Sequence, residues 1–137
     1  MSHRIDIEFL DHVAIRVSDI EKSVLWYEKV LGLKKHQKPE WGDFPIFMMV
    51  NKTGIALFPA NLEDKEIDPV SRNVKIDHFA FHVSLENFER AKRRYEELDL
   101  EFTIENHHYF HSIYTRDPDG HVVELTTLVV EQKDFYQ

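Results

Sequence analysis

Cysteine is absent from this chain of 137 residues. No disulfide can form and no thiolate can ligate a metal, so a metal site would have to be built from imidazole and carboxylate. Long apolar runs are missing too. No stretch of 18 apolar residues occurs and Met1–Leu10 has no apolar signal core. Neither a membrane span nor a secretory leader is expected, and the chain reads as cytoplasmic. Positive charge is scarce: 17 Lys and Arg stand against 25 Asp and Glu, a net charge of −8. A nucleic-acid partner needs a basic footprint and is not expected. The cluster Lys92, Arg93 and Arg94 reads as the solvated side of a helix.

What is present suffices for one ordinary domain, with 42% hydrophobic and 31% charged residues. One heptapeptide occurs twice. Asp11 to Val17 reads DHVAIRV, and Asp77 to Val83, 66 residues later, reads DHFAFHV; a Ser follows each copy. Val13, Ile15 and Val17 alternate with the residues between them, as do Phe79, Phe81 and Val83. That period argues for strands with one face packed. His12, Ala14 and Arg16 then share the other face of the first copy, and His78, Ala80 and His82 the matching face of the second. These polar faces are expected to line a cavity.

Taken in order, the first strand spans about 9–17. Ser18-Asp19-Ile20-Glu21 fits a capping box with Ser as the cap. Ile20, Val24, Tyr27 and Leu31 recur at helical spacing, and Gly32 sits where a helix stops. Strand-like segments follow at 34–38, 46–50 and 55–59, separated by turns at 41–43 and 51–54. Residues 61–75 are polar and read as a linker. The second half repeats the order: a strand at 76–83, Ser84 as cap, a helix with Phe88, Ala91, Tyr95 and Leu98 on one face, then strands near 101–105, 111–116 and 121–128. Asp117-Pro118-Asp119-Gly120 is a turn.

The reading is therefore βαβββ twice, an α+β chain with one domain at 8–130, module one at 8–60 and module two at 76–130. Gly54 and Gly120 keep the 66-residue offset of the two histidines. The same offset sets Phe58 against Glu124 and Met48 against Tyr114. The expected cavity is then asymmetric, with two histidines and one carboxylate, and Met48 and Phe58 supply an apolar wall suited to an aromatic or other hydrophobic substrate. Arg16 points the same way as His12 and would meet a substrate anion or form a structural ion pair.

The motifs DHVAIRV and DHFAFHV, each with its helix, and the closing SIYTRDPDGHVVELTT resemble the vicinal oxygen chelate superfamily of glyoxalases, bleomycin-resistance proteins and extradiol dioxygenases. The resemblance spans about residues 8–130. It implies two βαβββ modules whose mixed sheets form a cup around a divalent metal, with His12, His78 and Glu124 as ligands. Such a set leaves open positions suited to Fe2+ or Mn2+, with Zn2+, Ni2+ or Co2+ as alternatives. Glyoxalase I and the epimerases would carry a carboxylate where this chain has Phe58, which argues against both. Residues His107 to Glu124 are similar to the extradiol dioxygenase signature, which implies an acid–base role for His107 or its neighbour His108 and a substrate contact from Tyr114. His82 would be a group behind the ligands or an additional base. The first reading is thus a dioxygenase-like oxidoreductase acting on a small substrate. The alternatives are a thiol transferase of the fosfomycin-resistance type, whose potassium-binding loop has no clear counterpart in 125–133, and a metal-independent ligand-binding protein. A homodimer is expected.

Overall fold

The computed structural model describes residues 4–136. The chain divides into two compact units, Met1–Glu63 and Asp64–Gln137. Each holds one βαβββ module.

In the first unit the order is β1 (His12–Val17), α1 (Ile20–Leu31), β2 (Lys34–His36), β3 (Ile46–Val50) and β4 (Thr53–Pro59). The sheet runs β1-β4-β3-β2. β1 and β4 are parallel, and the other pairs are antiparallel. A parallel pair needs a crossover, and α1, β2 and β3 supply it. Val17, Ile55, Leu57 and Met48 on the sheet and Val24, Tyr27 and Val30 on the helix are buried together as the core. The buried stripe of α1 ends on Val30, with Leu31 half-buried. The helix cap is Asp19, one residue later than the Ser18 expected from the capping box. Its side chain accepts from the Lys22 amide at 3.1 Å. Gly32 ends the helix in the left-handed region, φ 68°, as its place in the sequence implied.

The second unit contains β5 (Phe79–His82), α2 (Leu85–Glu97), β6 (Thr103–Asn106), β7 (Phe110–Arg116) and β8 (Val122–Leu128). Its sheet runs β5-β8-β7-β6. Ser84 caps α2 by accepting from the Asn87 amide at 3.2 Å, and Phe88, Ala91 and Tyr95 are the buried stripe. The expected α+β fold with two mixed sheets is present. Both first strands are shorter than the sequence suggested: β1 starts at His12 rather than residue 9, and β5 covers 79–82 rather than 76–83.

The strand ladders correct the repeat arithmetic. Ala14 pairs with Ala56 and Ala80 pairs with Glu124. Ala14 and Ala80 are 66 residues apart, but Ala56 and Glu124 are 68 apart. The first-unit counterpart of Glu124 is therefore Ala56, not Phe58. Ala56 pairs with Phe47 and Glu124 with Tyr114, so Tyr114 matches Phe47, not Met48. The Gly54 and Gly120 match is a coincidence of number. Gly54 lies within β4 opposite His12, whereas Gly120 sits in the β7–β8 turn at φ 86°.

Gly54 is also a close-approach position. A Cβ there would collide with the Met48 carbonyl oxygen and press on Met49 Sδ. Backbone cannot move aside as a side chain tip can. Gly54→Ala should therefore lower stability by about 1–3 kcal/mol, read as a reduced urea midpoint with an unchanged slope.

Candidate metal and acid–base site

In each unit one face of the sheet packs against its helix and the other is open. The open face of the first unit carries His12, Ala14 and Arg16 of β1, all exposed. The second carries His78, immediately before β5, with Ala80 and His82 of that strand, also exposed. Residues paired across a ladder share a face. The row Ala80–Glu124–Tyr114 therefore lies on the open face of the second unit.

The repeated Asp-His dipeptide forms the same contact twice. Asp11 Oδ2 lies 2.7 Å from His12 Nδ1, and Asp77 Oδ2 lies 2.7 Å from His78 Nδ1. Each carboxylate orients its ring and leaves Nε2 pointing away from it. Metal-binding histidines are commonly held this way by an outer carboxylate. The hydrogen bond from His78 holds the Asp77 carboxyl below its ordinary value. The doubled Asp-His dipeptide is the sequence signal for these two aspartates, which the alternation of the strands does not reveal.

His78 Nε2 reaches Glu124 Oε1 at 2.9 Å. The Glu124 side chain is 9% exposed. A buried carboxylate is costly unless a partner compensates it. Donors at right angles around a shared ion, each about 2.1 Å from it, stand about 3 Å apart. The observed separation and the nitrogen–oxygen donor types fit that edge of a divalent cation's shell. Among the described residues no group of three His, Asp or Glu side chains gathers to hold an ion. The second unit thus brings together two of the three expected donors. His12 lies in the first unit, beside its own aspartate and edge-on to Phe47, ring centroids 5.0 Å apart.

Tyr114 and His107 join His78 and Glu124. His107 Nε2 and the Tyr114 hydroxyl share a hydrogen bond of 2.9 Å, and the His78 and Tyr114 rings meet edge to face at 5.6 Å. Burial and then the negative charge of Glu124 push the Tyr114 hydroxyl up to about 12. It stays protonated at neutral pH and so is able to donate a hydrogen bond.

The other expected residues have neighbours of their own. His82 pairs with Thr126, four residues along from His78, or roughly 13 Å at strand rise. His108 is exposed at φ 68°, and its backbone amide donates to Asn106 Oδ1. Arg16 stands over the Phe58 ring at 5.3 Å and donates to the Pro59 carbonyl at 3.1 Å. Phe58 is thus on the open face as expected. Met48 is not: it is fully buried on the face that packs α1, and its neighbours Phe47 and Met49 face outward in its place. With Ala56 opposite Ala14, the first unit still lacks a second carboxylate, so the argument against a four-ligand glyoxalase site passes from Phe58 to Ala56.

A family model described as the Glyoxalase/Bleomycin resistance protein/Dioxygenase superfamily matches residues 9–125. The chain is similar to a metallothiol transferase FosB from Lysinibacillus sphaericus, 30% identical over 135 residues, spanning 96% of this chain and 91% of that protein. It is also similar to a glutathione transferase FosA from Serratia marcescens, 29% identical over 119 residues, spanning 87% and 80%. Among solved structures, a glyoxylase/bleomycin resistance protein/dioxygenase domain from a Frankia species shares the fold with a TM-score of 0.74, at 19% identity over 96% of this chain and 100% of that one.

Proposed function

The chain belongs to the glyoxalase/bleomycin resistance protein/dioxygenase superfamily, and on that footing we propose that it is a metal-dependent thiol transferase acting on a small, oxygen-bearing electrophile of the fosfomycin type. The observation that carries the reading is the His78–Glu124 contact, backed by Asp77 and flanked by a protonated Tyr114. The likeness to two thiol transferases over most of their length supports this chemistry over ring cleavage.

The proposed ligands are His78 and Glu124, with His12, the residue at the matching repeat position, as the third donor. Mn2+ and Fe2+ suit that set. The ion would act as a Lewis acid toward a substrate oxygen. The protein's own groups account for the rest. A thiolate attacks carbon, a carbon–sulfur bond forms, the carbon–oxygen bond breaks, and the released oxygen takes up the proton that the thiol gave up. Tyr114 presents a hydrogen-bond donor to that oxygen as its charge grows. His107, hydrogen-bonded to the same phenol, is the titratable group placed to carry the proton. His82 has no part in this scheme.

Mn2+-loaded protein incubated with fosfomycin and either glutathione or cysteine should give a thioether adduct, detected by mass spectrometry. The adduct should vanish when the metal is chelated and return when it is restored. No adduct with either thiol, combined with metal-dependent oxygen uptake on a catechol, would overturn the transferase reading and restore the dioxygenase one. Subunits are proposed to pair as homodimers. No helix among the described residues is long and apolar enough to cross a membrane.

A further inference from the structure

His107 reaches Tyr114 from a turn rather than from a strand. β6 ends at Asn106 and β7 begins at Phe110. The ladder that pairs Asn106 with His111 continues through the His107 amide, which donates to the Phe110 carbonyl at 2.8 Å. His107 thus stands level with Phe110, four residues along β7 from Tyr114, or roughly 13 Å at strand rise. Both side chains lean along the sheet to share their hydrogen bond of 2.9 Å. A shift of the turn by about 1 Å would end that bond.

Three holds fix the turn. Within it, Asn106 Oδ1 accepts from the His108 amide at 2.8 Å, and the Tyr109 amide donates to the His107 carbonyl at 2.8 Å. His108 takes the left-handed conformation, φ 68°, which a residue other than glycine keeps only where its surroundings hold it. From the end of β8, the Val129 amide donates to the Tyr109 carbonyl at 2.9 Å. The third hold is aromatic and comes from the segment after β8. A 3-10 turn, Gln132–Asp134, bends the chain there, and the Phe135 and Tyr136 amides both donate to the Gln132 carbonyl, at 3.2 Å and 2.8 Å. Phe135 then lies against two residues of the His107 turn. Its ring centroid is 4.4 Å from that of Phe110, edge to face, and 5.6 Å from that of Tyr109. Tyr136 packs on Phe135 at 5.0 Å. Phe110 is an even number of residues from Tyr114 and so shares its open face. Phe135 is still 41% exposed, so its ring contacts bear on the turn more than on the core.

We propose that Phe135 is a positioning residue: by packing on Tyr109 and Phe110 it holds the turn where His107 meets Tyr114. The proposal rests on the roles given to His107 and Tyr114 above. It makes the segment after β8 a regulator of their alignment. Lifting that segment would uncouple His107 without touching the His78–Glu124 contact.

Amide hydrogen exchange of the metal-free protein tests the hold without turnover. In Phe135→Ala the His107 and Val129 amides should exchange about tenfold faster, as two lost aromatic contacts imply. The Asp117 amide, bonded to the His121 carbonyl at 2.9 Å at the other end of the β7–β8 hairpin, should keep its rate. Turnover of the Mn2+-loaded variant should fall about 10- to 100-fold, with KM and metal content unchanged. The same substitution in a His107→Ala protein should cost nothing further, whereas a merely structural role would cost the same in both. Phe135→Tyr should keep the parent rates. If Phe135→Ala fails to fold, Phe135→Leu should retain an apolar side chain and still speed the two amides. Unchanged exchange at His107 and Val129, equal speeding at Asp117, or an equal loss of turnover with and without His107 would overturn the proposal. Exchange that responds as stated in a protein that forms no thioether adduct would keep the hold and sink the transferase reading.

Discussion

Glu124→Ala should lower Mn2+ affinity by about 100-fold or more and abolish turnover, while circular dichroism stays unchanged. The physical reason is local. Glu124 is the one carboxylate that reaches His78 Nε2, at 2.9 Å, and its side chain is nearly buried. No other acidic side chain contacts that nitrogen among the described residues. Removing it leaves one imidazole in the second unit and only water to complete the edge. Outer-shell partners alone are worth about 10- to 100-fold, so Asp77→Asn should cost a measurable part of that affinity by freeing the His78 ring. His12→Ala tests the third donor, whose assignment rests on the repeat. Metal content by plasma mass spectrometry after dialysis is the measurement. Stoichiometric metal retained in Glu124→Ala would remove it from the site. Loss of metal in Glu124→Ala with full retention in His12→Ala would leave a site carried by the second unit.

Turnover should fall by about 100- to 1,000-fold in Tyr114→Phe, with metal content intact, because a donor aimed at developing charge is typically worth that much. His107→Ala should lie in the same broad range, about 100- to 10,000-fold, if it moves the proton. The two should not add. They share one hydrogen bond of 2.9 Å, and groups that act as a unit are lost together. His82→Ala is the internal comparison. It lies on the same strand face, yet it sits in the row of Thr126 and Ser112, whose hydroxyls bond each other at 3.0 Å. Its removal should leave turnover near the parent value. A His82→Ala variant as damaged as Tyr114→Phe would move the proton chemistry one row along the sheet.

Much of this was legible in the chain itself, for reasons that are local. Alternation in DHVAIRV and DHFAFHV placed His12 with Arg16 and His78 with His82, because the period of a strand is two whatever surrounds it. Ser84 and Gly32 were readable because caps and left-handed stops depend on a few neighbouring residues. Even the misread cap at Ser18 missed by a single residue, since Asp19 beside it offers the same kind of acceptor. His107 and Tyr114 were linked by spacing along one hairpin, where seven residues of chain bring them within hydrogen-bond reach.

The facing of β3 and β4 was decided only by the tertiary structure. A fixed offset assumes that the two modules have connections of equal length, and they do not. Val50 and Thr53 close one hairpin over two residues, while Arg116 and Val122 close the other over five. Strand residues change faces with every single-residue slip. The one-residue error at β3 therefore turned Met48 outward and Phe47 inward, and the two-residue error at β4 kept the face but named Phe58 in place of Ala56. Hydrogen-bonded register between strands distant in sequence fixes which residues stand side by side. That register set Glu124 next to Tyr114 in one unit and Ala56 next to Phe47 in the other, a carboxylate and a phenol in one row against a methyl group and a phenyl ring in the matching one.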